Sequence, residues 1–219
     1  MVKKEPTEAI KSRLLTERKL IDAVGTIIKS KGYRALGVNE IAREAKVSKK
    51  LIYRYFENVE GLIETYVIEK DYWLSHKMTV PNDIENLHKK STLINTLSSL
   101  LEKQLEFFWN EEEMQKIILW EISERTDLLD SVCKVREEVG TELFEISDAH
   151  FKGSLVSLRG VSALLVSGIY YMVLHAKKND STICGLDINS ADGRAEVQKS
   201  IRHIIEWAFQ AGKTKSKTI

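Results

Sequence analysis

One stretch, GVNEIAREAKVSKKLIYRYF from Gly37 to Phe56, limits what this chain can fold into more than any other. Val38, Ile41, Ala42 and Ala45 recur at helical spacing and give a first short helix, about 38–45, one apolar face. Val47 breaks that count. Ser48 then offers a side-chain oxygen to cap a second helix, about 48–55. In the second helix Ile52 and Phe56 turn inward, with Tyr55 partly beside them, which leaves Lys49, Lys50, Tyr53 and Arg54 outside. The short side chain of Ala42 permits the two helices to cross steeply, and Ile41, Ala45, Val47 and Ile52 form the plug between them. This is the pattern of a helix-turn-helix, whose second helix enters the DNA major groove with its first residues at base edges. The other reading of these residues is a small helical hairpin with solvated lysines.

The spacing is more demanding than a bare helix-turn-helix. Gly32-Tyr33-Arg34-Ala35, then Val38, Ile41-Ala42, Val47-Ser48 and Ile52-Tyr53-Arg54-Tyr55-Phe56 resembles the DNA-binding head of TetR-type repressors, over about residues 14–62. Three positions depart from that pattern. Gly37 stands where the family carries a capping Ser or Thr. Lys46 occupies the turn where the family has Gly, at a cost of about 1 kcal/mol if its backbone is left-handed. Val59 replaces a Lys that touches phosphate. The resemblance implies phosphate contacts for Tyr53 and Tyr55. With the first turn of the second helix, the DNA-facing set is Gly37, Asn39, Ser48, Lys49, Lys50, Leu51, Tyr53 and Tyr55.

Charge agrees with that assignment. The net charge of the whole chain is only +1, but residues 1–56 carry fourteen Lys and Arg against six Asp and Glu, and residues 57–219 carry nineteen against twenty-six. A basic head on an acidic body suits a phosphate-binding module joined to a domain with another task. Lys3, Lys4, Lys11 and Arg13 extend the basic character into an N-terminal arm. The start, MVKKEPTEAIKSR, has no apolar signal core, and the two cysteines, Cys133 and Cys184, fit a reducing compartment. The expected location is the cytoplasm, with no membrane association.

Leu14, Ile21, Val24 and Ile28 form one stripe of a supporting helix over 7–31. A further helix is expected over 57–76, then helices over 84–110, 111–124, 127–151, 154–178 and 191–211. No sustained alternation marks a strand. The expected fold is all-α: a three-helix head with the helix-turn-helix in residues 1–56, then a helical ligand-binding and dimerisation domain in 57–219. Within the helix over 154–178, Val161 to Leu174 is apolar nearly all round and is expected to be covered on several sides. In the last helix Val197, Ile201, Ile204 and Ala208 form a stripe. Two such helices at the end of the chain suggest a homodimer built as a four-helix interface, the use to which TetR-type proteins put them; burial within one chain is the alternative.

Enzyme chemistry finds little footing. Glu85 and His88 have one di-iron-type spacing but no second motif, and Cys133 and Cys184 have no companion ligands, so no metal or cofactor is expected. No phosphate loop, HExxH or nucleophile elbow occurs. Trp109, Trp120, Tyr170, Tyr171 and His175, placed in apolar helices, are the candidates for binding a small apolar or amphipathic effector; ordinary core packing is the competing role. The reading is a ligand-responsive repressor on a palindromic operator. An all-α enzyme or an effector-free DNA-binding structural protein are the rivals.

Overall fold

A computed structural model describes residues 8–75 and 89–212. Among the described residues every regular element is helical. Glu85 and His88, whose spacing was set aside as a metal motif, and Lys3 and Lys4 lie outside them.

The chain divides into two compact units, and the first is larger than the residues 1–56 anticipated for the head. Its described part covers 8–75 and 112–135. It begins with α1 (Glu8–Lys31) and a 3-10 turn (Tyr33–Ala35). Then come α2 (Val38–Glu44), α3 (Lys50–Phe56), α4 (Val59–Lys70) and the short α5 (Tyr72–Ser75). After the excursion into the second unit it resumes with α7 (Glu112–Ser123) and the start of α8 (Asp127–Phe151). Leu20, Val24, Ile27 and Ile28 from α1, Ile41 from α2, Ile52 from α3 and Leu62 and Val67 from α4 are buried. Leu14 is not: it sits on an exposed early turn of α1, beyond the side chains that cover the rest of its stripe.

A single helix over 57–76 does not form. Asp71 takes an extended backbone, and its buried carboxylate accepts hydrogen bonds from the Trp73 and Leu74 N–H groups at 2.8 and 3.2 Å. An Asp side chain that satisfies the first amides of a new helix competes with continuation of the old one. At the start of α4, Asn58 accepts from the Gly61 N–H at 2.6 Å, and a Cβ on Gly61 would lie 2.6 Å from the Phe56 carbonyl oxygen. Only glycine fits there.

The described part of the second unit covers 89–111 and 136–212. It contains α6 (Lys90–Asn110), the rest of α8, α9 (Leu158–Asn179) and α10 (Ala191–Ala211). Helix α9 starts four residues later than expected because Ser157 caps it, accepting from the Gly160 N–H at 3.1 Å. α6 packs against both α9 and α10. It runs antiparallel to α10: Lys90 reaches the Phe209 carbonyl at 2.6 Å, Arg202 pairs with Glu102 at 3.0 Å, and Arg194 lies over Trp109.

Candidate nucleic-acid interface

The helix-turn-helix closes as its spacing demands. Ile41, Ala42, Ala45 and Ile52 are buried between the helices and Val47 is half-buried. Gly37 precedes α2 in extended conformation, with no side-chain cap. Lys46 has φ 55, so a non-glycine residue does adopt the left-handed turn. The Val47 N–H returns to the Ala42 carbonyl at 3.0 Å and stops α2 there.

Ser48 opens the second helix slightly differently from a simple cap. Its hydroxyl accepts from the Lys50 N–H at 3.4 Å, while its carbonyl accepts from the Leu51 N–H at 2.9 Å. The first turn is therefore tight, and α3 proper starts at Lys50. Ser48, Lys49, Lys50 and Tyr53 are exposed on one end and side of α3, and Asn39 is exposed in the first turn of α2. Leu51 is half-buried. These side chains present two cations and a phenol around the start of a helix, the end at which the backbone dipole carries partial positive charge. That is a surface suited to phosphates and base edges.

Tyr55 is set differently from Tyr53. It is half-buried, with the Arg13 guanidinium 5.3 Å and the Arg54 guanidinium 5.9 Å from its ring centroid. Arg13 is also held by Glu17 at 2.7 Å. The sequence reading marked Arg13 as part of a basic arm and Arg54 as outward-facing. Neither was tied to Tyr55, because the pairing of α1 with α3 is not a local pattern.

The head is backed by a helix distant in sequence. The Tyr33 and Trp120 rings stack with centroids 5.0 Å apart and planes within 8°. Below them Glu124 accepts from the Tyr33 hydroxyl at 3.1 Å and from the Arg34 guanidinium at 3.1 Å. Lys116 on α7 donates to the Lys29 carbonyl near the end of α1. Glu113 accepts from the Tyr66 hydroxyl at 2.7 Å and pairs with Lys70 at 3.0 Å. Burial pushes the Glu113 carboxyl up, but these donors outweigh it and hold the group below its ordinary range.

The residues nominated for the effector are divided between the two units. Trp120 belongs to the first unit, in contact with Tyr33. Trp109, Tyr170, Tyr171 and His175 belong to the second. Tyr170 meets Phe108 edge-on at 4.8 Å. Trp109 lies under Lys177, whose Nζ is 3.6 Å from its ring centroid, with Arg194 at 4.5 Å. Desolvation, then the nearby Arg194 charge, lowers the Lys177 pKa. Tyr171 is exposed, 5.7 Å from His175.

The stripe nominated for dimerisation is largely used inside the chain. Val197, Ile201 and Ala208 are buried in the second unit, and Ile204 is half-buried. The stripe marks a buried face correctly, but α6 of the same chain takes up that side of α10. The all-round cover expected for α9 is also missing within one chain. Leu164 is 76% exposed and Tyr171 63%, with Ser167 between them, and on α10 Trp207 is 62% exposed. By length and composition α9 is apolar enough to cross a membrane, with 22% of its most apolar window buried.

Residues 20–66 match the family model described as bacterial regulatory proteins, tetR family. The uncharacterized HTH-type transcriptional regulator YvkB of Bacillus subtilis (strain 168) is 43% identical over 49 residues. That match spans 22% of this chain and 26% of YvkB, about a quarter of each. Among solved structures, FadR from Bacillus subtilis in complex with stearoyl-CoA is similar with a TM-score of 0.63 at 19% identity, covering 86% of this chain and 96% of that one. FadR from Bacillus halodurans, a fatty acid degradation regulator, has a TM-score of 0.59 at 17% identity over 88% of this chain and 97% of its own. Residues 20–66 thus carry a head of the tetR-family kind, and the fold of the chain is like that of FadR.

Proposed function

We propose that this protein is a one-component transcriptional repressor that binds a palindromic operator as a homodimer and releases it when a small molecule occupies the second unit. The observation that carries the reading is the exposed start of α3, where Ser48, Lys49, Lys50 and Tyr53 project from a helix-turn-helix. In this role Lys49 and Lys50 read guanine O6 or N7, Leu51 meets a thymine methyl, and Asn39, Tyr53 and Tyr55 hold the backbone. Gly37 and Ser48 place the starts of the two helices.

Two heads must meet major-groove faces about 34–36 Å apart, so the active species has two copies. The unpartnered face of α9, with Leu164, Ser167 and Tyr171, and Trp207 on α10 supply an apolar surface for the second copy. Ile204, half-buried, is the one member of the nominated stripe left near that surface. A dimer also gives the apolar side of α9 a destination other than a bilayer. The operator lies in the cytoplasm, and the protein works there without a catalytic step or cofactor.

The effector is apolar or amphipathic. FadR, of like fold, is solved with stearoyl-CoA, an amphipathic molecule, and this supports the choice. Control requires that effector and operator favour different states of the protein, and the coupling must then be reciprocal. The test is a selection of bound sequences from random DNA at fixed salt, followed by gel filtration of the complex. Recovery of an inverted repeat bound by two chains is expected. Sequence-independent binding would leave a structural DNA-binding protein instead.

A further inference from the structure

Ser98, Gln104 and Ser162 are buried residues of the second unit whose side-chain polar atoms have no hydrogen-bond partner; the Nδ1 of half-buried His175 on α9 is also unpaired. Gln104 on α6 is fully buried, and neither its Oε1 nor its Nε2 is paired. The hydroxyl of Ser98, also on α6 and fully buried, is unpaired, as is that of buried Ser162 on α9. Several other helical hydroxyls in this chain bond back to their own helix: Thr16 to the Ser12 carbonyl, Thr26 to Asp22, Ser30 to Thr26, Thr65 to Gly61 and Ser123 to Leu119. Ser98 and Ser162 do not. Unmade bonds of this kind are costly, so folded proteins seldom keep them without a use.

Their positions are central. Gln104 lies within the buried stripe Leu97, Leu101, Leu105 and Phe108, and Ser162 lies within the buried stripe Leu158, Ile169 and Val173. The Phe108 and Tyr170 rings, in contact at 4.8 Å, show that these two helices pack together. Among the described residues of the second unit, no charged side chain is buried. An ionised group placed beside Gln104 would therefore meet no fully buried counter-charge in its apolar stripe.

Building on the repressor reading, we infer that Gln104, with Ser98 and Ser162, receives the uncharged polar head of the effector, a group that both donates and accepts hydrogen bonds on an apolar body. A primary amide or an alcohol satisfies the Gln104 amide in both senses; a carboxylate or an ammonium ion does not. The surrounding leucines and Phe108 take the apolar body. Gln104 is kept at the expense of the ligand-free fold because the bound ligand completes its hydrogen bonds.

The test uses the full-length protein and four ten-carbon probes that share a chain: decanamide, 1-decanol, decanoate and decylammonium. Calorimetric titration should show decanamide and decanol binding at least tenfold tighter than the two ions. Gln104→Leu should remove that preference and raise the midpoint of thermal unfolding. Gln104→Met serves the same purpose if the leucine variant does not fold. An unchanged ranking in the variant, no binding of any probe to the unaltered protein, or a lowered unfolding midpoint in both variants overturns the inference. Sequence-selective operator binding, measured without probes on the unaltered protein, tests the repressor reading separately. Its failure would sink that reading while the calorimetry still decides whether this site exists.

Discussion

Tyr33 and Trp120 lie face to face, with ring centroids 5.0 Å apart and planes within 8°. Tyr33 belongs to the turn that leads into the helix-turn-helix, and Trp120 is a buried residue of α7. The supporting wall of the DNA-binding head thus includes a helix from far along the chain. Trp120→Ala should cost about 3–5 kcal/mol through loss of packing, as for other buried large aromatics. Chemical denaturation should show this together with a weaker operator complex, whereas Trp120→Phe should retain most of both. Operator affinity unaffected by the alanine variant would mean that α7 does not hold the head in its binding geometry.

In the proposed DNA complex Lys50 reads bases and Tyr53 grips the backbone. Lys50→Ala should change the selected operator sequence, while Tyr53→Phe should weaken all sequences to a similar degree. Lys49→Ala, at the neighbouring base-reading position, should also change the selected motif. The measurement is binding to a library of operator variants at several salt concentrations. An unaltered motif with Lys50→Ala would remove this residue from direct readout.

Buried and exposed faces of the terminal helices should respond differently to charge. Ile201 is buried inside the second unit, so Ile201→Glu should lower stability by several kcal/mol and reduce helical content. Leu164→Glu, on the exposed face of α9, should leave the fold intact and yield monomers in analytical ultracentrifugation. A folded dimer from Leu164→Glu would place the contact between copies elsewhere.

Glu113 should make the first unit acid-sensitive. Its folded-state pKa is depressed despite burial because Tyr66 and Lys70 donate to its carboxylate. The stabilisation is present above the unfolded carboxyl pKa of about 4.3 and is lost as pH falls through the lower folded value. Denaturation series from neutral pH into that acid window should show a smaller pH dependence for Glu113→Gln than for the unaltered chain. Equal slopes would assign the acid sensitivity to other carboxylates.

The head was legible in the sequence because its information is local. Ile41, Ala45 and Ile52 lie within a dozen residues, and helical spacing alone puts them on facing sides. Lys46 in the turn, and the exposed Lys49, Lys50 and Tyr53, follow from the same count. The start of α10 is also local, set by the Ser190 hydroxyl that accepts from Gly193, whereas the Ser157 cap of α9 lies beyond the start expected at 154. Asp71 was missed because a carboxylate can cap a new helix or lie solvated on an old one, and its burial decides between them.

Periodicity determined that Val197, Ile201 and Ala208 share a face, but not what covers it. Only the tertiary structure assigned that face to α6 of the same chain and left Leu164 and Tyr171 exposed. Likewise, the sequence showed Trp120 to be an aromatic in an apolar helix; packing brought it to Tyr33. Nor does a sequence disclose that Gln104 lacks partners, since its amide could have been paired by any neighbour. Helical hydrogen bonds connect residues four apart, so the sequence determines elements and their faces. The partners of those faces lie tens of residues away, and the competition among all apolar surfaces for burial chooses them.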